Sequence, residues 1–149
     1  MSAAVVAVLG TLAGVLLTGV LQHYSQRAAR RAEAAALRDR EALAAVADLV
    51  AALADHRRAM WVREDLRLRG QDWTEARSES HRTRSAVTVP LLRVQLLMPA
   101  IAPAARVAAE AAYALRGADG DTVLTHRRES AMAKADELVT AAGRHLSAF

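Results

Sequence analysis

Three short strings in this chain concentrate side chains that could do chemistry. His56-Arg57-Arg58 and His126-Arg127-Arg128 repeat one pattern, and His81-Arg82-Thr83-Arg84 varies it. Arginine presents a planar fork of donors suited to phosphate or carboxylate, so repeated basic clusters are what an ion or phosphate site would need. The competing account is that Arg-rich helices generate such strings by chance, and composition favours it. The richest polar-aromatic stretch is Asp55 to Asp65. On a helix Arg57 lies four residues before Trp61 and Asp65 four after it, so a guanidinium can cover the indole, a contact worth about 0.5–1 kcal/mol when exposed. Trp and Arg together are typical of protein-docking hot spots. The candidate docking residues are Arg57, Arg58, Trp61, Arg63, Trp73, His81 and Arg84. The plainer alternative has Trp61 packing on Trp73 across a turn at Gly70, with the charges solvated.

Other chemistries lack a frame. The histidines at 23, 56, 81, 126 and 145 include no HExxH motif and no i, i+4 pair, and the chain has no cysteine, so no metal site is expected. No Gly-x-Ser-x-Gly, P-loop or dinucleotide fingerprint is present, and Gly117 to Gly120 offers only two glycines in a turn. The expectation is a protein that is not an enzyme and takes no cofactor.

The elements that must position these residues are helices. Of 149 residues 36 are Ala, and aromatics make up only 3%. Ala has the highest helix propensity and is depleted from strands, so the composition points to an all-α chain of long, closely spaced helices. The net charge is +4, but Asp and Glu alternate with the arginines, which argues against a nucleic-acid-binding face.

No charged side chain occurs from Met1 through Gln26, and Ala3 to Leu21 is an unbroken run of Ala, Val, Leu, Gly and Thr. Its five Leu and five Val contribute roughly −3 to −6 kcal/mol on the membrane-insertion scale. The run has the length of a bilayer core. It lacks the basic n-region and the small-x-small cleavage site of a secretory signal. A retained transmembrane anchor over residues 1–26 follows, with residues 27–149 as a separate domain. Arg27, Arg30, Arg31, Arg38 and Arg40 follow the run and nothing basic precedes it. The positive-inside rule then sets the N-terminus outside and the C-terminal domain in the cytoplasm, in a single-pass protein of the cell membrane. Gly10, Gly14 and Thr18 form a small-xxx-small line suited to helix self-association, although Gly is also simply common in membrane helices.

With neither Pro nor Gly between Gly19 and Gly70, one helix is predicted to continue to about Leu68, burying Ala42, Val46, Leu49, Leu53 and Met60. After the Gly70-Gln71 break, Asp72 and Glu75 read as a capping-box start. The second helix has a seam at Trp73, Ala76, Ser80, Thr83, Val87, Leu91, Val94 and Leu97. Pro90 is predicted to kink or divide it, with Thr88 as a new cap. Pro103 opens a third helix, about Ala104 to Arg116, closed by Gly117. Asp121 then caps a last helix to about Leu146, with Leu124, Ala131, Ala135, Leu138 and Ala142 inward. The predicted architecture is a cytoplasmic antiparallel helical bundle on one N-terminal transmembrane helix.

The stretch Asp55 to Asp65, then Gly70-Gln71-Asp72-Trp73-Thr74-Glu75-Ala76, Ser80-His81-Arg82-Thr83-Arg84-Ser85-Ala86 and the opening Val8-Leu9-Gly10-Thr11-Leu12, resembles the KilB proteins of Streptomyces. The resemblance spans nearly the whole chain and rests on no catalytic motif. It implies a membrane factor of conjugative plasmid transfer, acting in the intramycelial spread of plasmid DNA after a hexameric translocase has moved it between cells. The implied partners are the lipid bilayer, further copies of the chain, the translocase and other spread proteins. Two other readings stand beside it, a membrane-tethered protein that binds DNA directly and a host-toxic membrane protein.

Overall fold

In a computed structural model the chain is helical throughout, with no strand among the described residues. The structure describes residues 2–147, and side chains from residue 22 onward. The side chains of Gly10, Gly14 and Thr18, and the apolar run expected to cross the membrane, therefore lie outside the described side chains. Among the described residues no single helix is long and apolar enough to cross a membrane. Helix α1 runs Ser2–Leu68, α2 Thr74–Leu97, α3 Ala102–Tyr113 and α4 Asp121–Leu146, with a 3-10 turn at Pro99–Ile101. Contacts divide the chain into two units, Met1–Arg38 and Asp39–Phe149.

The second unit is a four-helix bundle in which each helix reverses the one before. Asp48, His56 and Arg63 of α1 bond Arg93, Thr83 and Ser80 of α2, so rising numbers on one helix meet falling numbers on the other. α3 turns back alongside α1, where His56 meets Tyr113 and Glu64 meets Gly117. α4 descends again, bringing Arg128 to Trp61.

The inward faces follow helical spacing. On α1 they are Ala42, Val46, Leu49, Leu53, His56 and Met60, at intervals of three or four. On α4 they are Leu124, Ala131, Ala135, Leu138 and Ala142, the set expected. α3 contributes Ala105, Ala108, Ala109 and Ala112, all at most 2% exposed. A face made only of methyl groups admits its neighbours closely, and Leu49, Leu53, Val87, Val94 and Leu138 fill the space around it. A second cluster of Met60, Leu115, Ala118, Leu124 and Ala131 seals the other end, with Trp61 packed on its edge.

The helix ends explain the turns. Gly70 has φ +66, and the N–H groups of Gly70 and Gln71 donate to the carbonyls of Arg67 and Leu66, the Schellman pattern that stops α1. Asp72 lies two residues before the first helical residue of α2, and its carboxylate accepts from both the N–H and the hydroxyl of Thr74. Those two bonds hold its pKa below the ordinary carboxylate value. The expected capping box is thus an Asx-type turn, since Trp73 occupies the cap position and its side chain makes no capping bond. Pro90 does not divide α2, and Thr88 caps nothing because it sits in mid-helix. The carbonyl that Pro90 leaves without a partner belongs to Ala86, whose exposed position lets water satisfy it. Asp121 is the first residue of α4, and Gly120 holds the cap position.

Candidate functional site

The polar residues that sequence spacing grouped together separate onto three faces of the bundle. The first is the seam between α1 and α2. His56, 1% exposed, continues the apolar stripe of α1, three residues past Leu53. Its Nδ1 lies 3.0 Å from Thr83 Oγ1. The Thr83 hydroxyl has one proton, directed to the carbonyls of Glu79 or Ser80 at 3.0 and 3.2 Å. Thr83 must therefore accept from His56, which places the imidazole proton on Nδ1 and leaves Nε2 buried without a partner. Burial above all, then the charges of Arg84 and Arg63, lowers the His56 pKa to about 4. Tyr113 meets the imidazole edge-on at 5.3 Å and is itself covered by the Arg84 guanidinium at 3.9 Å.

Further along the same seam, Arg63 points inward. Its guanidinium lies 3.4 Å from Ser80 Oγ and 3.7 Å from Glu64 Oε1, and it covers one side of the Trp73 ring at 5.2 Å. Arg77 lies over the same ring at 5.6 Å. Glu64 is 1% exposed, and its Oε2 takes Arg67 Nε at 2.6 Å and the Gly117 N–H at 3.2 Å. Arg67 also donates to the Ala118 carbonyl. Glu64 and Arg67 thereby tie α1 to the turn between α3 and α4.

The second face is a groove of about 290 Å³ between α1 and α2, floored by Ala59, Val62 and Ala76 and rimmed by Asp55, Arg58, Glu79 and Arg82. Glu79 and Arg82, three apart on α2, pair along its rim at 2.5 Å. His81 and Arg84 lie further along α2, both exposed.

The third face, between α1 and α4, gathers Arg57, Arg58, Trp61 and Arg128 around a cavity of about 150 Å³. The guanidinium over Trp61 is that of Arg128, at 4.9 Å, and not the expected Arg57. Nor does Trp61 pack on Trp73, because each ring has its own arginine cover on a different side of α1. Of the candidate docking residues, Arg57, Arg58 and Trp61 come together here, Trp73, His81 and Arg84 lie along α2, and Arg63 is interior.

The spacing of α1 already marked position 56 as inward, yet His56 read as part of a basic string. Tyr113 carried no local signal, because its partners come from α1 and α2, and Arg128 was visible only as part of a basic string.

Fold and polar clusters define the chain as an all-helical bundle protein that carries arginine–aromatic surfaces and a charged helix seam. It belongs to the KilB plasmid transfer protein family, whose model matches residues 43–146, the span of the bundle. It is 56% identical over 146 residues to Protein KilB of Streptomyces lividans, covering 96% of this chain and 97% of that one. No solved structure matches it.

Proposed function

We propose that this chain is a non-enzymatic, membrane-anchored factor of conjugative plasmid transfer, acting in the spread of plasmid DNA by self-association and partner docking. The observation that carries the reading is the identity of one element. The uncharged run Ala3 to Leu21 and the first helix of the bundle belong to the same helix, Ser2–Leu68. An apolar run of this length suits a bilayer core, and Arg27, Arg30 and Arg31 immediately after it favour a cytoplasmic bundle. Gly10, Gly14 and Thr18 are the self-association line. Trp61 with its arginines, and Trp73, His81 and Arg84 along α2, are the docking surfaces for the transfer translocase and other spread proteins. The family to which the chain belongs supports the process, and the apolar run supports the site of action.

The experiment is fractionation and topology mapping of the full chain in its host. It should resist carbonate extraction, show reporter activity outside for an N-terminal fusion, and be released by deletion of residues 2–21. Deletion of the gene should shrink the zone of plasmid spread, and Gly14→Leu should weaken self-pairing in a membrane two-hybrid assay. A full chain fully extracted by carbonate would end the anchor reading. Unchanged self-pairing in Gly14→Leu would end the assembly reading.

A further inference from the structure

The two His-Arg-Arg strings, remote in sequence, converge in space. Arg57 and Arg58 of α1 and Arg128 of α4 line one cavity with Trp61 and Ala54. Arg127, beside them in sequence, is committed elsewhere, donating to the carbonyls of Ala114 and Arg116 at 3.0 Å. The basic side chains of the bundle divide by pairing. The three lining arginines fall with those, Arg77, Arg84, Arg106 and Arg116 among them, that have no carboxylate within ion-pair distance. What sets the three apart is that they share one cavity. Arg63, Arg67, Arg69, Arg82, Arg93 and Lys134 each have a carboxylate within ion-pair distance. Among the described residues Arg57, Arg58 and Arg128 have none, although they crowd one another. Burial, and then the charge of Arg128, disfavours the protonated form of Arg57, and Asp136 offsets part of that.

Three like charges held together without counter-ions raise the free energy of the protein unless an anion joins them. Stacking on Trp61 occupies the face of the Arg128 guanidinium and leaves its in-plane N–H donors available. The cavity, about 150 Å³, has room for one tetrahedral oxyanion and its ester oxygen. Three guanidiniums with Asp136 nearby leave a net charge near +2, the complement of a phosphate monoester at neutral pH. A polyanion such as duplex DNA fits less well. Asp136 lies about two turns on from Arg128 on α4, close enough to act on Arg57, and would repel the duplex's further phosphates.

We propose that the α1–α4 cavity of Arg57, Arg58, Arg128 and Trp61 binds a single phosphate group, as the dianion of inorganic phosphate or of a phosphate monoester. The site goes beyond the docking role and does not depend on the membrane anchor.

The test uses the full chain in neutral detergent micelles near neutral pH, titrated with inorganic phosphate against chloride of equal ionic strength. Binding is read by calorimetry and by Trp61 emission in a Trp73→Phe background. Phosphate should bind saturably and chloride should not. Arg57→Gln and Arg128→Gln should each weaken phosphate by at least tenfold, while Arg106→Gln on α3 leaves it unchanged. Unchanged helical circular dichroism and melting in these variants exclude unfolding as the cause. Adding short-chain phosphatidic acid or phosphatidylglycerol to the micelles separates the sources. Tighter binding of phosphatidic acid than of free phosphate assigns the site to a lipid monoester headgroup, and equal or weaker binding assigns it to soluble phosphate. Equal responses to phosphate and chloride would overturn the proposal. So would phosphate binding unchanged in Arg57→Gln and Arg128→Gln, or duplex DNA that binds through these arginines and is not displaced by phosphate.

Discussion

His56 donates its Nδ1 proton to the hydroxyl of Thr83 at 3.0 Å, joining α1 to α2 through the one imidazole buried in the bundle. Burial with Arg84 and Arg63 keeps the ring neutral down to a pH of about 4.

A pH dependence of stability follows from that burial. An unfolded histidine takes up its proton near pH 6.5, which folded His56 declines until about 4. The unfolded chain therefore binds more protons in this window, and stability falls as pH drops through it. The contribution is fully present above about 6.5 and fully lost below about 4, a difference of about 3 kcal/mol. Urea unfolding at several pH values should show this loss in the wild type and its absence in His56→Gln. Parallel pH profiles for the two would contradict it.

Glu64 and Arg67 should behave asymmetrically. Removing Arg67 leaves the buried carboxylate with the Gly117 N–H on Oε2 and Arg63 3.7 Å from Oε1, whereas removing Glu64 leaves the interior guanidinium of Arg63 without its carboxylate. Arg67→Met should cost about 2–3 kcal/mol, less than a fully buried pair because the guanidinium is partly exposed. Glu64→Gln should cost more than Arg67→Met, because it takes the carboxylate from both Arg63 and Arg67. Denaturant midpoints of the three proteins decide it.

Gly117 has φ +70, and a Cβ there would meet nothing within 4 Å. The cost of Gly117→Ala is therefore conformational rather than steric, about 1–2 kcal/mol. Because the same residue gives its N–H to Glu64, the loss should shrink when Glu64→Gln is already present. A thermal-melt double-mutant cycle measures that coupling.

Leu138 and Leu96 test the core against the surface. Leu138 is fully buried and Leu96 is 72% exposed. Leu138→Ala should cost about 2–5 kcal/mol, and Leu96→Ala should stay within about 0.5 kcal/mol. Equal losses would mean that the outer face of α2 is covered in solution.

Much of this architecture is legible in local pattern. Ala42, Val46, Leu49, Leu53 and Met60 repeat at helical spacing, as do the five inward residues of α4, and burial follows that periodicity because a helix presents one stripe to its neighbours. Gly70 stands where only a left-handed residue ends a helix cheaply. By contrast, α3 stops at Tyr113 with Ala114 as its cap, short of the expected Arg116, and Gly117 turns the chain three residues later. Pro90 was misleading because its cost depends on whether the freed carbonyl reaches water, a matter of which face it lies on.

The basic strings show where sequence stops. By itself it determined that His56, Arg57, Arg58 and Trp61 share one helix and that Arg128 sits on another. Only the tertiary structure decided that His56 turns inward to Thr83, that Glu64 reaches Gly117, and that Arg128 rather than Arg57 covers Trp61. The reason is physical. Facing within a helix follows from its own repeat, but the register between helices is set by how closely the alanine faces of α3 and its neighbours pack. That register is a property of the whole bundle, and it turns two scattered arginine strings into one cavity.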